Sequence, residues 1–314
     1  MTAEATGRTY AGKGPEGTVF DIGYRNYTGV REGRGRSRRA IFKDGVRIAL
    51  GFGRGGKAKI LPWLFIAVLS AIGLIMAMIA GAAERLAGPG AAQQLNLPSH
   101  SDYYGIAATI LFVFAAIVAP ELLCRDRREG TINLYLVRPL TGSDYVAARW
   151  AAFLVIMLFA TWLPQVILFL GLAMGDQVPL EYLRAHWLDV PRFMTAGLVM
   201  SAFATTLAML TASFTTRRAY ASVFLVGLFL ITTPFTVGLA QEMGGKAGQW
   251  VSMFSLLNIP LHVNDVIFDF ADPSELTEDA PARALGATAL VLWYSGWILV
   301  PGAILWWRYR KLTP

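Results

Sequence analysis

Residues 121–150 read ELLCRDRREGTINLYLVRPLTGSDYVAARW, and the fold turns on how this stretch is read. Six of its first nine residues are charged: Glu121, Arg125, Asp126, Arg127, Arg128 and Glu129. Gly130 interrupts any helix that enters the stretch, and Thr131 opens a short piece beyond it. There Ile132, Leu136 and Tyr135 fall on one apolar helical stripe. Arg138-Pro139 ends the piece, because proline disfavours helix at the residue before it. Thr141-x-x-Asp144 then reads as the cap of the next helix. Two beginnings are open for the short piece. Asp126-x-x-Glu129 can cap it, with Asp126 as N-cap, or the preceding helix runs on through Arg128 and Gly130-Thr131 restarts the chain. On each side lies an apolar run near the roughly 20 residues that a helix needs to cross a bilayer. The stretch is therefore a charged, patterned connection between two membrane rods. It exceeds the roughly two to eight residues usual between linked helices.

Outward from this stretch, the composition is that of a membrane protein. Of 314 residues, 55% are hydrophobic and 16% charged, against about 25% charged in soluble domains. Six spans are expected, at residues 60–83, 106–123, 150–174, 193–214, 219–240 and 285–307. The second is the weakest, being short and ending in Pro120 and Glu121. Lys and Arg divide unequally between the connections: 23 of the 28 fall on the side that holds residues 121–149 and both termini, and five on the other. With nine acidic residues on the first side and twelve on the second, the faces carry +14 and −7. The positive-inside rule predicts a multi-pass protein of a bacterial cell membrane with both termini in the cytosol. The net charge of +7 is thus a topology signal, and no nucleic-acid partner is expected.

Three segments precede or interrupt the spans. Residues 1–37 form a basic tail rich in Gly and Arg with little to bury, suited to anionic headgroups or another subunit. Residues 38–59 carry an interfacial helix and hinge: Ile41, Phe42, Val46, Ala49 and Leu50 share one side, and Arg39, Lys43, Asp44 and Arg47 the other. Residues 60–314 form the six-helix domain. The last external connection is expected to be partly re-entrant, with an apolar WVSMFSLL at residues 250–257 and an acidic run beyond it.

The chain is poor in chemistry. Residues 51–58, GFGRGGKA, match the spacing of a phosphate-binding loop but end in Ala58, where a hydroxyl is needed to hold magnesium. No cofactor and no metal are expected in this chain: His262, Asp265 and Asp269 could share a helical face, yet no second His or Cys completes a site. Cys124 is the single cysteine, which rules out an intrachain disulfide. The first 59 residues hold no signal-peptide core, so the first span is expected to serve as the insertion signal. The third to sixth spans contain no Asp, Glu, Lys, Arg or His, which argues against an ion-coupled carrier. Their polar groups are hydroxyls and Gln165, expected to satisfy backbone carbonyls or join helices. Phe224, Phe229 and Phe235 surround Thr232, Thr233 and Thr236, a setting suited to an uncharged, hydrophobic cargo.

Arg127-Arg-Glu129-Gly130-Thr131, Leu134-Tyr-Leu136, Arg138-Pro139-Leu140 and Asp144-Tyr145 resemble the cytosolic loop of ABC type-two exporter permeases. The resemblance extends over the chain's architecture and implies an all-α membrane protein with a short cytosolic coupling helix. It implies that this helix docks in a cleft of a separate ABC ATPase, present in two copies, which carries the ATP and Mg. It implies a second permease, identical or paired, with the second and fifth spans facing each other. The coupling residues would then be Glu121, Arg125, Asp126, Arg127, Arg128, Glu129, Gly130, Thr131, Ile132 and Tyr135. Phe112, Phe114, Phe229, Thr232 and Thr233 would line the pathway for a drug, antibiotic or lipid. The chain itself would not be an enzyme. The alternative is a non-transporting scaffold or sensor that recruits a soluble partner through its basic face.

Overall fold

The computed structural model describes residues 33–311 apart from 54, 89–90, 96, 137–139, 177 and 269–284. The tail to residue 32, Arg138-Pro139 and the acidic run from Asp269 lie outside the described residues. The rest is all-α. Among the described residues the helices are α1 Arg34–Ala49, α2 Lys57–Ala87, α3 Ala91–Gln94, α4 His100–Arg128, α5 Thr131–Leu136, α6 Gly142–Gly175, α7 Pro179–Ala185, α8 Asp189–Phe214, α9 Arg218–Met243, α10 Gly245–Ser252, α11 Ile259–Ile267 and α12 Ala287–Arg310. Six of them, α2, α4, α6, α8, α9 and α12, are long and apolar enough to cross a membrane.

Local chemistry starts the two central helices. Ser99 and Asp102 form a capping box at α4, with the Ser99 amide donating to Asp102 Oδ2 at 2.7 Å. Thr141 and Asp144 form the corresponding box at α6, as the spacing leads one to expect. The helix that holds the second expected span is longer than the span: α4 is 29 residues long and runs through Pro120 and on to Arg128. Proline forfeits one backbone hydrogen bond, and close packing in a bundle tolerates that loss; Pro120 is buried among its neighbours. Likewise α6 begins eight residues before the expected span, since the cap lies at Thr141.

Helices α4, α6 and α8 pack on one another at the centre. Against this centre lie α2 and α1 on α6, α9 on α4, and α12 on α8 and α6. Small residues bring α2 and α6 close, as in membrane helix pairs generally. A Cβ on Gly171 would stand 2.5 Å from Ala77 Cβ, and one on Gly175 would stand 2.6 Å from Gly81 Cα. Helix α1 is amphipathic, and the face it buries, Ile41, Gly45 and Ala49, packs on protein, chiefly α6.

The last connection is helical. Helix α11 packs on α8 and α12 and buries Ile259, Pro260, His262, Val263 and Asn264. His262, weighed above as one member of an incomplete metal set, is therefore a buried residue. His100 is likewise buried, at the first turn of α4. There its Nδ1 shares a 2.6 Å hydrogen bond with Gln165 Oε1, and Gln165 Nε2 donates to the His100 carbonyl at 3.0 Å. The hydroxyls in the spans serve backbone and neighbours: Thr161 donates to Met157 O at 3.1 Å and meets Ser201 Oγ at 3.2 Å. Trp150 Nε1 donates to Thr206 Oγ1 at 3.1 Å, joining α6 to α8.

The tight α2–α6 contact yields a test. Gly171→Leu should lower stability by about 1–3 kcal/mol through overpacking, read as an earlier thermal transition of the detergent-solubilised protein. Gly105→Ala, with nothing within 4 Å of the added methyl, should leave the transition in place.

Candidate functional site

The charged end of α4 gathers the other helices around it. Asp126 is buried, and its Oδ2 accepts from Tyr145 Oη at 2.6 Å and from Arg149 Nη2 at 2.7 Å. Arg149 is wholly buried and also pairs with Asp44 of α1 at 2.9 Å. One carboxylate thus holds α6, and through Arg149 it reaches α1. Asp126 is no N-cap. Of the two beginnings open in the sequence, the chain takes the second: α4 continues through Arg128, Gly130 adopts φ 68°, and α5 starts at Thr131. A positive φ disfavours any residue with a Cβ. The physical reason is pairing, because only within α4 does Asp126 face Arg149. Thr131 Oγ1 donates back to the Asp126 carbonyl at 3.3 Å, so α5 is tied to the same turn.

The neighbours of Asp126 tie α4 to further helices. Glu121 pairs with Arg218 at the start of α9. Arg127 donates to the Ser213 carbonyl, to which Arg308 of α12 also donates at 3.1 Å. Cations at a helix C-terminus meet the negative end of its dipole, so both arginines clasp the last turn of α8. Tyr145 is stacked between Tyr135 of α5 and Tyr309 of α12, each at 5.8 Å between ring centroids. Burial, and secondarily the nearby Asp126 carboxylate, push the Tyr135 phenol above its ordinary range, so it stays neutral. Ile132 and Tyr135 turn the apolar stripe of α5 onto the core.

What remains exposed at the tip is Arg128, Glu129, Gly130 and Asn133. Arg125 pairs with Glu129 at 3.2 Å, one helical turn away, and Arg128 approaches Glu129 at 3.8 Å. A cleft of about 350 Å³ opens beside this tip, between α1 and the α4–α5 turn, with Asp44, Arg47, Phe52, Arg125, Glu129 and Tyr135 in its wall.

The expected pathway residues are split by the fold. Phe112, Phe114 and Phe229 are core residues: Phe112 packs at 4.5 Å from Phe229 and 5.9 Å from Phe203, and Phe114 at 5.6 Å from Phe65. Their rings fill the space where α4 meets α2, α8 and α9. Thr232 and Thr233 are half-buried on α9; Thr232 donates to Leu228 O at 2.7 Å, and Thr233 accepts from Ser255 at 3.1 Å. The surface of α9 left open includes Val223, Phe224, Leu230, Ile231 and Phe235.

Sequence reasoning missed Arg149, Tyr145 and Asp44. The signal was present in VAARW at residues 146–150: a cation between apolar residues at a helix start needs a buried partner. The near phosphate loop serves the chain turn. At Gly51 φ is 74°, and a Cβ there would stand 2.3 Å from the Ala58 carbonyl oxygen. Among the described residues no group of three His, Cys, Asp or Glu could hold a metal ion.

Residues 43–312 match the family model described as ABC-2 family transporter protein. No curated protein matches the chain.

The two ion clusters at this end differ in weight. Removing one partner of a buried pair costs about 3–5 kcal/mol, so Arg149→Met should destabilise the protein by that order. Asp144 pairs with Arg34 and Arg38, both about half exposed, and such pairs contribute about 0–1 kcal/mol; Arg34→Gln should be nearly silent. Denaturant unfolding in detergent measures both, and Asp126→Asn combined with Arg149→Met should cost less than the two changes summed.

Proposed function

The chain belongs to the ABC-2 transporter permease family, and from that premise we propose that it is the transmembrane half of an ATP-driven exporter, with Arg125–Leu136 receiving the stroke. Members of this family are membrane subunits without a catalytic ATPase domain and work with an ABC ATPase. ATP and Mg reside on that partner, of which two copies serve two permeases. Helix α5 is the coupling helix. The basic end, with both chain termini, faces the cytosol of a bacterial cell; α1 lies along the interface there, preceded by the basic tail, and α10 and α11 dip into the opposite side.

One observation carries this reading. Asp126, one turn from the exposed tip, is bonded at once to Thr131 at the start of α5, to Tyr145 and Arg149 of α6, and through Arg149 to Asp44 of α1. Glu121 and Arg127 extend the connection to α9 and α8. A load on the exposed tip can therefore reach α1, α5, α6, α8 and α9 through ion pairs and hydrogen bonds. Glu129 and Gly130 stand outermost, where a partner would touch them, and the cleft beside α1 can receive a partner's side chains.

The cargo is hydrophobic or amphipathic: a drug, antibiotic or lipid. Support comes from the open face of α9, where Phe224, Ile231 and Phe235 adjoin Thr232 and Thr233 and no charge intervenes. The same face suits α9 of a second permease. Phe112, Phe114 and Phe229 act behind it as packing.

In proteoliposomes with the partner ATPase, Glu129→Ala or Gly130→Leu should abolish cargo-stimulated ATP hydrolysis, at least tenfold, while the protein inserts normally. Undiminished stimulation in both variants would overturn the coupling role.

A further inference from the structure

A second feature of the basic end lies apart from the α4–α5 tip. A groove of about 490 Å³ runs between α1, the first turns of α6 and the last turn of α12. Its floor is apolar, made by Phe42, Ala147, Ala148 and Trp306, and Arg38 and Arg39 stand at its mouth. We propose that this groove binds one anionic phospholipid, phosphate at the mouth and acyl chain along the floor.

Depth is set by α12. Trp306 and Trp307 are both about half exposed, at 46% and 55%, in the helix's last turn. Arg310 lies over the Trp306 ring at 5.2 Å and Lys311 over the Trp307 ring at 3.5 Å. Exposed tryptophans flanked by cations at the end of an apolar helix mark headgroup level. The groove mouth thus lies where lipid phosphates lie, and its floor leads toward hydrocarbon.

Charge selects the occupant. The one carboxylate in the groove, Asp144, is already matched: it accepts from Arg34 at 2.7 Å and pairs with Arg38 at 2.6 Å. Three guanidinium groups against one carboxylate leave the mouth net positive. Arg39 has no ion-pair partner among the described residues, and it is exposed. A free phosphate would satisfy the mouth and leave the Trp306 wall bare. A lipid satisfies both, since basic residues at headgroup level attract anionic lipid individually. This inference needs only that the bundle cross a bilayer, so it stands or falls separately from the coupling role.

Native mass spectrometry of the full chain in neutral detergent tests it, with phosphatidylglycerol, phosphatidylcholine or inorganic phosphate added. The wild type should retain one phosphatidylglycerol and take up phosphatidylcholine several-fold less. Arg39→Gln should weaken retention about fivefold, and Arg39→Glu more, as expected for roughly one kcal/mol per basic residue; Arg39→Lys should preserve it. Trp306→Ala should weaken retention without changing the preference for the anionic lipid. Equal retention by wild type and Arg39→Glu would overturn the site. So would equal uptake of phosphatidylcholine, or inorganic phosphate that displaces phosphatidylglycerol. Arg39 is exposed and has no ion pair among the described residues, so these variants should share the wild-type melting transition.

Discussion

Asp126 and Arg149 stand 2.7 Å apart at the junction of α4 and α6, both withdrawn from solvent. An uncompensated charge in such a place costs several kcal/mol even after relaxation, so each residue is tenable only where the other is. That constraint decides how far α4 runs and when α6 begins. Helix α4 cannot end at Pro120, because Asp126 must still be helical to face Arg149. Helix α6 cannot begin at Trp150, because Tyr145 and Arg149 must be presented on one of its faces, one turn apart. Helix α1 is drawn in by the same guanidinium through Asp44.

The opposite end of the bundle is held by different means. There Gln165 meets His100, and Tyr104 donates to the Phe193 carbonyl at 2.6 Å while His100 stacks on Phe193 at 5.3 Å between ring centroids. These are neutral hydrogen bonds and ring contacts, each worth about a kcal/mol net. At that end Arg85 of α2 also donates to the Met174 carbonyl of α6 at 3.1 Å, while the ion pairs that join different helices gather at the basic end among the described residues.

Between the two ends the spans carry hydroxyls whose partners are mostly their own helix carbonyls. Thr206 and Thr211 bond back one turn, as do Thr232 and Thr236 beside Pro234. Such bonds satisfy the backbone in an apolar medium without creating a charged path. The interior of one chain is thus packed with rings and small residues. The open apolar surface lies outside, on α2, α9 and α12, where lipid or a second subunit can cover it.

The sequence by itself determined the class of the fold: six apolar runs, their order and the unequal division of Lys and Arg between the two faces are properties of composition along one dimension. It also determined the cap at Thr141-x-x-Asp144, because a capping box is local. It exposed the Glu129-Gly130-Thr131 turn for the same reason. Tertiary structure alone decided what Asp126 does, since its partners Tyr145, Arg149 and Asp44 lie far away in the chain and no periodicity links them. It alone placed Phe112 and Phe229 in the core, because an aromatic residue on an apolar helix has no sequence mark that distinguishes a packed face from an open one. Where the medium is hydrocarbon, both faces of a helix are written in the same apolar residues. Only packing against the other helices assigns one face to the core and the other to lipid or partner.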